Sequence, residues 1–295
     1  MSIERRRFAA GGSPVSDYVI RPFTSMEECH ECVALQEDTW GRGFSERVAP
    51  AILKVGQILG GVSSGAWDAE GRLVGFVFGL TGLRDGEVVH WSDMLAVRPE
   101  IRDTGLGRRL KAYQRDVVMA LGIEKMFWTF DPLQSRNAHL NVTRLGAVIR
   151  EYRVDMYGET DSPLHRGIGT DRFIPLWQLR TERVAGRLVD DPAQAFDPSS
   201  LRPDSIGVAL DATSRSDSLP LPVRLNLELD DDWISVGVPA DVGGVMDLDL
   251  GLAQEWRAVT REAFPHYLLQ GYEVREFLRG PVVSRYLLTR ISGAA

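Results

Sequence analysis

Cysteine is scarce in this chain: only Cys29 and Cys32 occur among 295 residues. They share one short segment, Glu28-Cys-His-Glu-Cys32, inside a stretch from Ser25 to Thr39 with amphipathic helical spacing. A structural zinc site needs a second pair of ligands, and none follows, so the two are read as a reduced cytosolic pair. Histidine is equally thin. His30, His90, His139, His165 and His266 are scattered, and no metal-binding spacing forms, so no metal is expected. No run of eighteen apolar residues offers a membrane span. Basic excess is missing too: the formal charge is −7, which removes any general attraction for nucleic acid. The Glu4-Arg-Arg-Arg-Phe8 start lacks the apolar run of an export signal and reads as a flexible tail over residues 1–17. A cytoplasmic protein is the expectation.

What is present is ordinary globular material, 44% hydrophobic and 25% charged, long enough for two lobes. The acidity belongs to the second. Residues 1–180 carry 23 acids and 23 bases, whereas residues 181–295 carry 18 acids and 11 bases. A breaker-rich stretch, 187–206, contains Asp-Asp-Pro, Asp-Pro-Ser-Ser and Arg-Pro-Asp-Ser, and reads as a linker between a domain at 18–186 and a lobe at 207–295. Pattern along the first part predicts β-α-β-β-β-α-β-α-β-β. Tyr18 to Phe23 leads as a strand into a helix capped by Ser25 and Glu28. Gly65 to Gly71 followed by Arg72 to Leu80 reads as the two strands of a hairpin, with Asp68-Ala-Glu-Gly71 as its turn, and Val88 to Val97 is a strand ended by Arg98-Pro99. Leu106, Leu110, Tyr113, Val117 and Leu121 then follow helical spacing up to Gly122. In the second part, strands are expected near Leu225 to Leu229 and Trp233 to Val238. A helix from about Asp249 to Gln270 and strands Tyr272 to Arg279 and Arg285 to Ile291 follow.

The most informative segment is Leu95-Ala-Val-Arg-Pro-Glu-Ile-Arg-Asp-Thr-Gly-Leu-Gly-Arg-Arg-Leu110. An apolar strand breaks at Pro99 and re-enters a helix through Arg102-Asp103-Thr104-Gly105-Leu106-Gly107. Such a turn cradles anions, because glycines let the backbone approach a phosphate and a helix N-terminus adds partial positive charge. Arg102 and Arg108 add full charges. A Walker A loop would need Lys-Ser/Thr after Gly107, where Arg108-Arg109 stands. A dinucleotide fingerprint would need a small residue at Leu110. The remaining alternative is a glycine-rich turn that binds nothing.

The pattern Leu-x-Val-x-Pro-x-x-Arg-x-x-Gly-x-Gly107 resembles the acyl-CoA pyrophosphate loop of the GNAT superfamily. Ser135-Arg-Asn-Ala-His-Leu-Asn-Val-Thr-Arg-Leu-Gly-Ala147 is similar to the superfamily's later helix. The resemblance covers residues 18–180. It implies an α+β fold with a mixed sheet splayed between Val88 to Val97 and Lys125 to Phe130. The backbone of Leu95, Ala96 and Val97 would pair with the pantetheine arm, Arg102 to Arg108 would hold the diphosphate, and Asn137 would lie beside them. An acyl-CoA, acetyl or succinyl, would be the co-substrate and a primary amine the acceptor. The two-part pattern resembles a branch linked with N-acylation of amino acids, in which the acidic lobe would shape the acceptor pocket or a homodimer contact. Val142 departs from the pattern, standing where members often carry a tyrosine acid, so a CoA-sensing or protein-binding module without turnover is the alternative. Asp93, reached by counting twos from Val97 through Leu95 and on to Trp91, is the candidate base. His139 is the second candidate, for either role.

Overall fold

The computed structural model describes residues 18–42, 44, 46–158, 167–189, 195–201, 205–215 and 218–291. The arginine-rich start, His165 and parts of the 187–206 stretch lie outside these residues.

Strand β1 (Val19–Pro22) opens the fold and hands over to helix α1 (Met26–Trp40). Ser25 caps it by accepting the Glu28 amide at 3.3 Å, while the Glu28 carboxylate accepts the Thr24 amide at 2.7 Å and the Arg21 guanidinium. The return bond thus lands one residue ahead of the cap. Cys29, Cys32, Leu35 and Gln36 are its buried stripe. A second helix, α2 (Pro50–Ile58), was absent from the sequence pattern. Proline at its first position supplies the helical φ without losing a needed donor, and its apolar Ile52, Val55 and Ile58 remain exposed, so no clear face marks it.

The hairpin of β2 (Val62–Trp67) and β3 (Leu73–Arg84) turns through Gly71, whose φ of 78° suits glycine. Strand β4 (Glu87–Val97) pairs along β3, and helix α3 (Leu106–Ala120) crosses to β5 (Lys125–Phe127). The buried stripe of α3 is Leu106, Leu110, Lys111, Gln114 and Val118, not the Tyr113–Val117–Leu121 face expected; Leu121 is exposed. The true stripe steps by four and carries two polar residues, which a hydrophobic pattern skips. Next, α4 (Ser135–Ala138) widens into a π-turn at His139–Arg144, and β6 (Val148–Arg153), β7 (Arg172–Gln178) and α5 (Glu182–Leu188) follow.

In the second part come β8 (Ile206–Ser214), β9 (Pro220–Leu225), β10 (Trp233–Pro239), α6 (Val242–Leu248), α7 (Leu250–Leu269), β11 (Tyr272–Leu278) and β12 (Val283–Arg290). Strand β8 was not foreseen, and most of the expected Leu225 to Leu229 strand is loop. The twelve strands among the described residues form one mixed sheet in the order β1-β2-β3-β4-β5-β7-β6-β11-β12-β10-β8-β9. The fold is therefore α+β.

The order repeats about the β6–β11 seam, where Ile149 pairs with Val274. On one side a parallel pair, β4 and β5, leads through antiparallel β7 to β6; on the other, parallel β8 and β10 lead through β12 to β11. Each half contains a helix followed by an antiparallel strand pair, and in the first half the unforeseen helix α5 comes after it. A shared apolar core lies across the seam, with Phe130, Val142 and Phe173 from the first part against Trp256, Phe264 and Tyr286 from the second. The Phe173 and Phe264 rings meet at 4.7 Å. Buried ion pairs cross as well: Arg257–Asp131 at 2.6 Å and Arg187–Glu276 at 3.0 Å.

Candidate functional site

The turn after β4 is built by backbone conformation. A short 3-10 helix, Pro99–Ile101, ends at Arg102, and then Asp103 and Gly105 adopt left-handed φ values of 65° and 83°. Asp is one of the few side chains that tolerate this conformation, and glycine adopts it without penalty. The helical ladder of α3 starts with the Arg109 amide on the Gly105 carbonyl at 3.1 Å, so the amides of Leu106 and Gly107 precede it. The turn is open: a Cβ at Gly105 would meet nothing within 4 Å, and one at Gly107 only Leu95 Cδ2 at 3.6 Å. Thr104 Oγ1 donates to Ile101 at 2.8 Å and steadies the loop. Its one acid, Asp103, is paired with Arg136 at 2.9 Å. This arrangement fits a diphosphate, which would find backbone amides, a helix N-terminus and a neutralised carboxylate. Arg102 is exposed and donates from Nε to the Val97 carbonyl at 3.3 Å, and Arg108 reaches the Arg187 carbonyl at 3.5 Å. Asn137 is exposed beside Arg136.

Immediately before the turn, the sheet parts. Strands β4 and β5 pair only at His90↔Met126 and Trp91↔Phe127, whereas β4 runs on to Val97. Leu95, Ala96 and Val97 bond to β3 through Val77, Phe76 and Gly75, and their other edge has no β5 partner.

A bulge falls in β4 where Gly79 faces Ser92 and Phe78 faces Met94, leaving Asp93 as the extra residue. It corrects the period-two expectation. Ser92 and His90 point to α3, where both meet Gln114 at 2.9 and 3.0 Å. After the bulge Leu95 and Val97 point to α3 as well, packing with Leu106 and Leu110. Asp93 thus lies on the opposite face from Leu95 and Val97, toward the chain that follows α1.

Around Asp93 stand groups from distant segments. Its side chain stays open to solvent at its edge, yet surrounding protein pushes the carboxyl above the usual range, and Glu46 adds to the effect. Tyr157 feels both carboxylates. Burial raises its phenol most, while its hydroxyl shares a hydrogen with Thr129 Oγ1 at 3.0 Å. The Arg172 guanidinium lies 5.2 Å from the Tyr157 ring centre. Glu46, Thr129, Tyr157 and Arg172 carry no contiguous motif, and only the fold gathers them.

His139 belongs to a different neighbourhood. Burial lowers its imidazole, with Arg279 and Arg144 acting in the same direction, and its buried Nδ1 has no hydrogen-bond partner among the described residues. The groups that perturb it are not those around Asp93. Val142 is wholly buried in the core across the seam.

Lys111 also escaped the sequence reading. Its ammonium nitrogen is buried behind β4, 2.7 Å from Ser92 Oγ and 3.9 Å from the Trp128 ring centre. No group of His, Cys, Asp and Glu among the described residues could hold a metal ion, and no described helix is long and apolar enough to cross a membrane.

An α+β sheet with a parted parallel pair and an open glycine turn defines a class of fold, and comparison with known proteins gives it a family. Residues 29–146 match the acetyltransferase (GNAT) family, and the chain carries a domain of that family there, whose chemistry is acyl-CoA-dependent acyl transfer. Similar solved structures include an acetyltransferase of GNAT family from Streptococcus pneumoniae, with 16% identity, TM-score 0.44, and coverage of 54% of this chain and 98% of that one. The ribosomal-protein-S18-alanine N-acetyltransferase from Escherichia coli is also similar, at 16% identity, TM-score 0.43, and 56% and 95% coverage. So is yncA from Salmonella typhimurium, solved with its cofactor acetyl-CoA, at 18% identity, TM-score 0.42, and 56% and 95% coverage. No curated protein matches in sequence.

Proposed function

We propose that the protein transfers a short acyl group from an acyl-CoA to a primary amine, with an amino acid as the acceptor. The observation that carries this reading is the open turn at 102–107 placed at the mouth of the parted β4–β5 pair. In it, backbone amides from Asp103 to Gly107 hold the diphosphate, with Arg102 and Arg108 at its rim and Asn137 alongside. The free edge of Leu95, Ala96 and Val97 pairs with the arm of the donor.

Asp93 accepts the proton that the acceptor ammonium must lose, directly or through one water. Its raised pKa makes it a better base near neutral pH than an ordinary carboxylate. Arg172, close to Tyr157 on the same side, meets the acceptor carboxylate. His139, whose charged neighbours are Arg279 and Arg144 and not this cluster, is given no part in the step, and its neutral imidazole is assigned to the donor side. With Val142 in the core, the departing thiolate takes its proton from solvent, which its low thiol pKa permits.

The test is direct. Titration with coenzyme A should show binding, and acetyl-CoA or succinyl-CoA with a panel of amino acids should release free thiol. Asp93→Asn should lower kcat by about 100-fold or more, and His139→Ala much less. Binding without thiol release on any acceptor would leave only a sensor, and no binding at all would remove the reading.

A further inference from the structure

Lys111 sits at the closed end of the gap between β4 and β5. Ser92, whose Oγ it meets at 2.7 Å, is the first β4 residue past the last pair with β5. Trp128, whose ring face it covers at 3.9 Å, is the first residue past β5. Met126 Sδ stands 3.9 Å away and Gln114 Oε1 3.5 Å. With 4% exposure, this lysine has no carboxylate partner among the described residues. That is unusual, because a buried cation without a counter-charge is costly.

The hydrogen bonds around it run in one direction. Ser92 accepts from Lys111 and donates to Gln114 Oε1 at 2.9 Å. Gln114 Nε2 then donates to His90 Nε2 at 3.0 Å, which leaves His90 to donate from Nδ1 to Thr81 Oγ1 at 3.2 Å. Thr81 ends the chain on the Gly60 carbonyl at 2.8 Å. His90 is held neutral, its pKa pushed down to about 3 by burial and by Lys111. Every acceptor near the amine is therefore neutral. Burial also holds Lys111 well below an ordinary lysine. Among the described residues, His90 is the titratable group whose pKa Lys111 shifts.

We infer that Lys111 selects a donor whose acyl chain ends in a carboxylate, the carboxylate supplying at the closed end of the gap the counter-charge that the protein omits. The inference rests on the acyl-transfer reading and specifies the donor. A chain entering at the glycine turn and running along Val97 and Leu95 heads toward Ser92, so its far end comes to the amine. Meeting a carboxylate restores the lysine's preference for its protonated form, so the lysine amine takes up a proton from solvent as such a donor binds, while the carboxylate stays ionised. An acyl group without charge brings no such uptake.

The experiment is calorimetry of the full chain with CoA, acetyl-CoA, butyryl-CoA and succinyl-CoA, in two buffers of different ionisation enthalpy. Butyryl-CoA matches succinyl-CoA in length without its charge. Succinyl-CoA is expected to bind tighter than butyryl-CoA by about tenfold or more, with a proton uptake that the other three lack. In Lys111→Met, the preference and the proton uptake should both vanish, with near-ultraviolet dichroism reporting that the variant has folded. Equal affinity of the wild-type protein for succinyl-CoA and butyryl-CoA overturns the inference, whatever the variant does. So does a preference that survives Lys111→Met. Failure of all four ligands to bind would instead remove the acyl-transfer reading beneath it.

Discussion

At the scale of single residues, Asp93 shows how placement sets chemistry. A carboxyl whose folded pKa lies above its unfolded value of 3.8 favours the protonated fold, so its stabilising contribution exists at low pH and is lost as pH rises through the folded pKa. Asp93→Asn should therefore melt at a higher temperature than the wild type at neutral pH and at the same temperature near pH 3, while losing activity. The acid limb of the pH–rate profile should lie above the usual carboxylate range. In Glu46→Gln it should move to lower pH, because the nearby negative charge that disfavours ionisation is gone. A limb unmoved by Glu46→Gln would separate the base from Asp93. Cys32 shows the reverse, a nucleophile put out of use. Burial pushes its thiol up to about 12, and Cys29 is buried beside it. Native protein should leave both thiols unreacted with a disulfide thiol reagent, and rapid labelling of the folded chain would contradict this.

At the scale of elements, the turn into α3 and the cap of α1 make separate predictions. Gly105 needs its left-handed φ of 83°, and Gly105→Ala should cost about 1 kcal/mol of stability and weaken CoA binding. Gly107 has ordinary φ and room for a methyl, so Gly107→Ala should leave the melting temperature nearly unchanged yet weaken CoA binding by about tenfold as the methyl crowds the cradle. Equal CoA affinities for wild type and Gly107→Ala would show that the turn does not touch the ligand. The α1 cap depends on Glu28, whose pKa falls to about 2, chiefly through its hydrogen bond with Arg21. A depressed carboxylate stabilises the fold above its ordinary value of 4.5, and the contribution is lost as pH falls toward about 2. Because Arg21 and Glu28 are partly exposed, Glu28→Gln should cost only about 1 kcal/mol at pH 7. Denaturant curves at neutral pH and near pH 2 measure the difference, which should disappear in acid.

At the scale of the whole molecule, the continuous sheet and its core make the two parts depend on each other. Arg257 of α7 reaches Asp131 before α4, and both side chains are almost fully buried. Arg257→Met should cost about 3–5 kcal/mol in chemical denaturation, because it removes one member of a buried ion pair and leaves the other in the core. A loss near zero would mean that water reaches the pair. The second part departs from the repeat at the turn. Its parallel strands β8 and β10 are joined through β9 and a loop, not through a helix, and the helix that follows β10, α6, has its N-terminus capped by the Asp241 carboxylate, which accepts the Gly244 amide at 3.1 Å. Acidic residues Asp241, Asp247 and Asp249, with no base between Arg224 and Arg257, point the same way.

Local chemistry made a good part of this legible in advance. The run from Leu95 to Leu110 told of strand, turn and helix because proline, paired glycines and apolar spacing constrain the backbone wherever they stand. The α+β class, the hairpin at Gly71 and the helix-strand-strand ending of the second part followed from similar short-range signals. Other features depended on what meets in space. A bulge moved Asp93 to the opposite face from Leu95; nothing in the letters of β4 marks it, because it is set by pairing with β3. Lys111 and Gln114 look like solvent-facing positions of an amphipathic helix, and become interior only because α3 packs across β2, β3 and β4. Glu46, Tyr157 and Arg172 are separated by long stretches of chain, and the β6–β11 pairing that joins the two parts has no local signature. Sequence alone determined where the backbone had to turn and which turn enters a helix through paired glycines. Tertiary structure decided which charges face the gap, because burial and pairing belong to the packed chain and not to any segment of it.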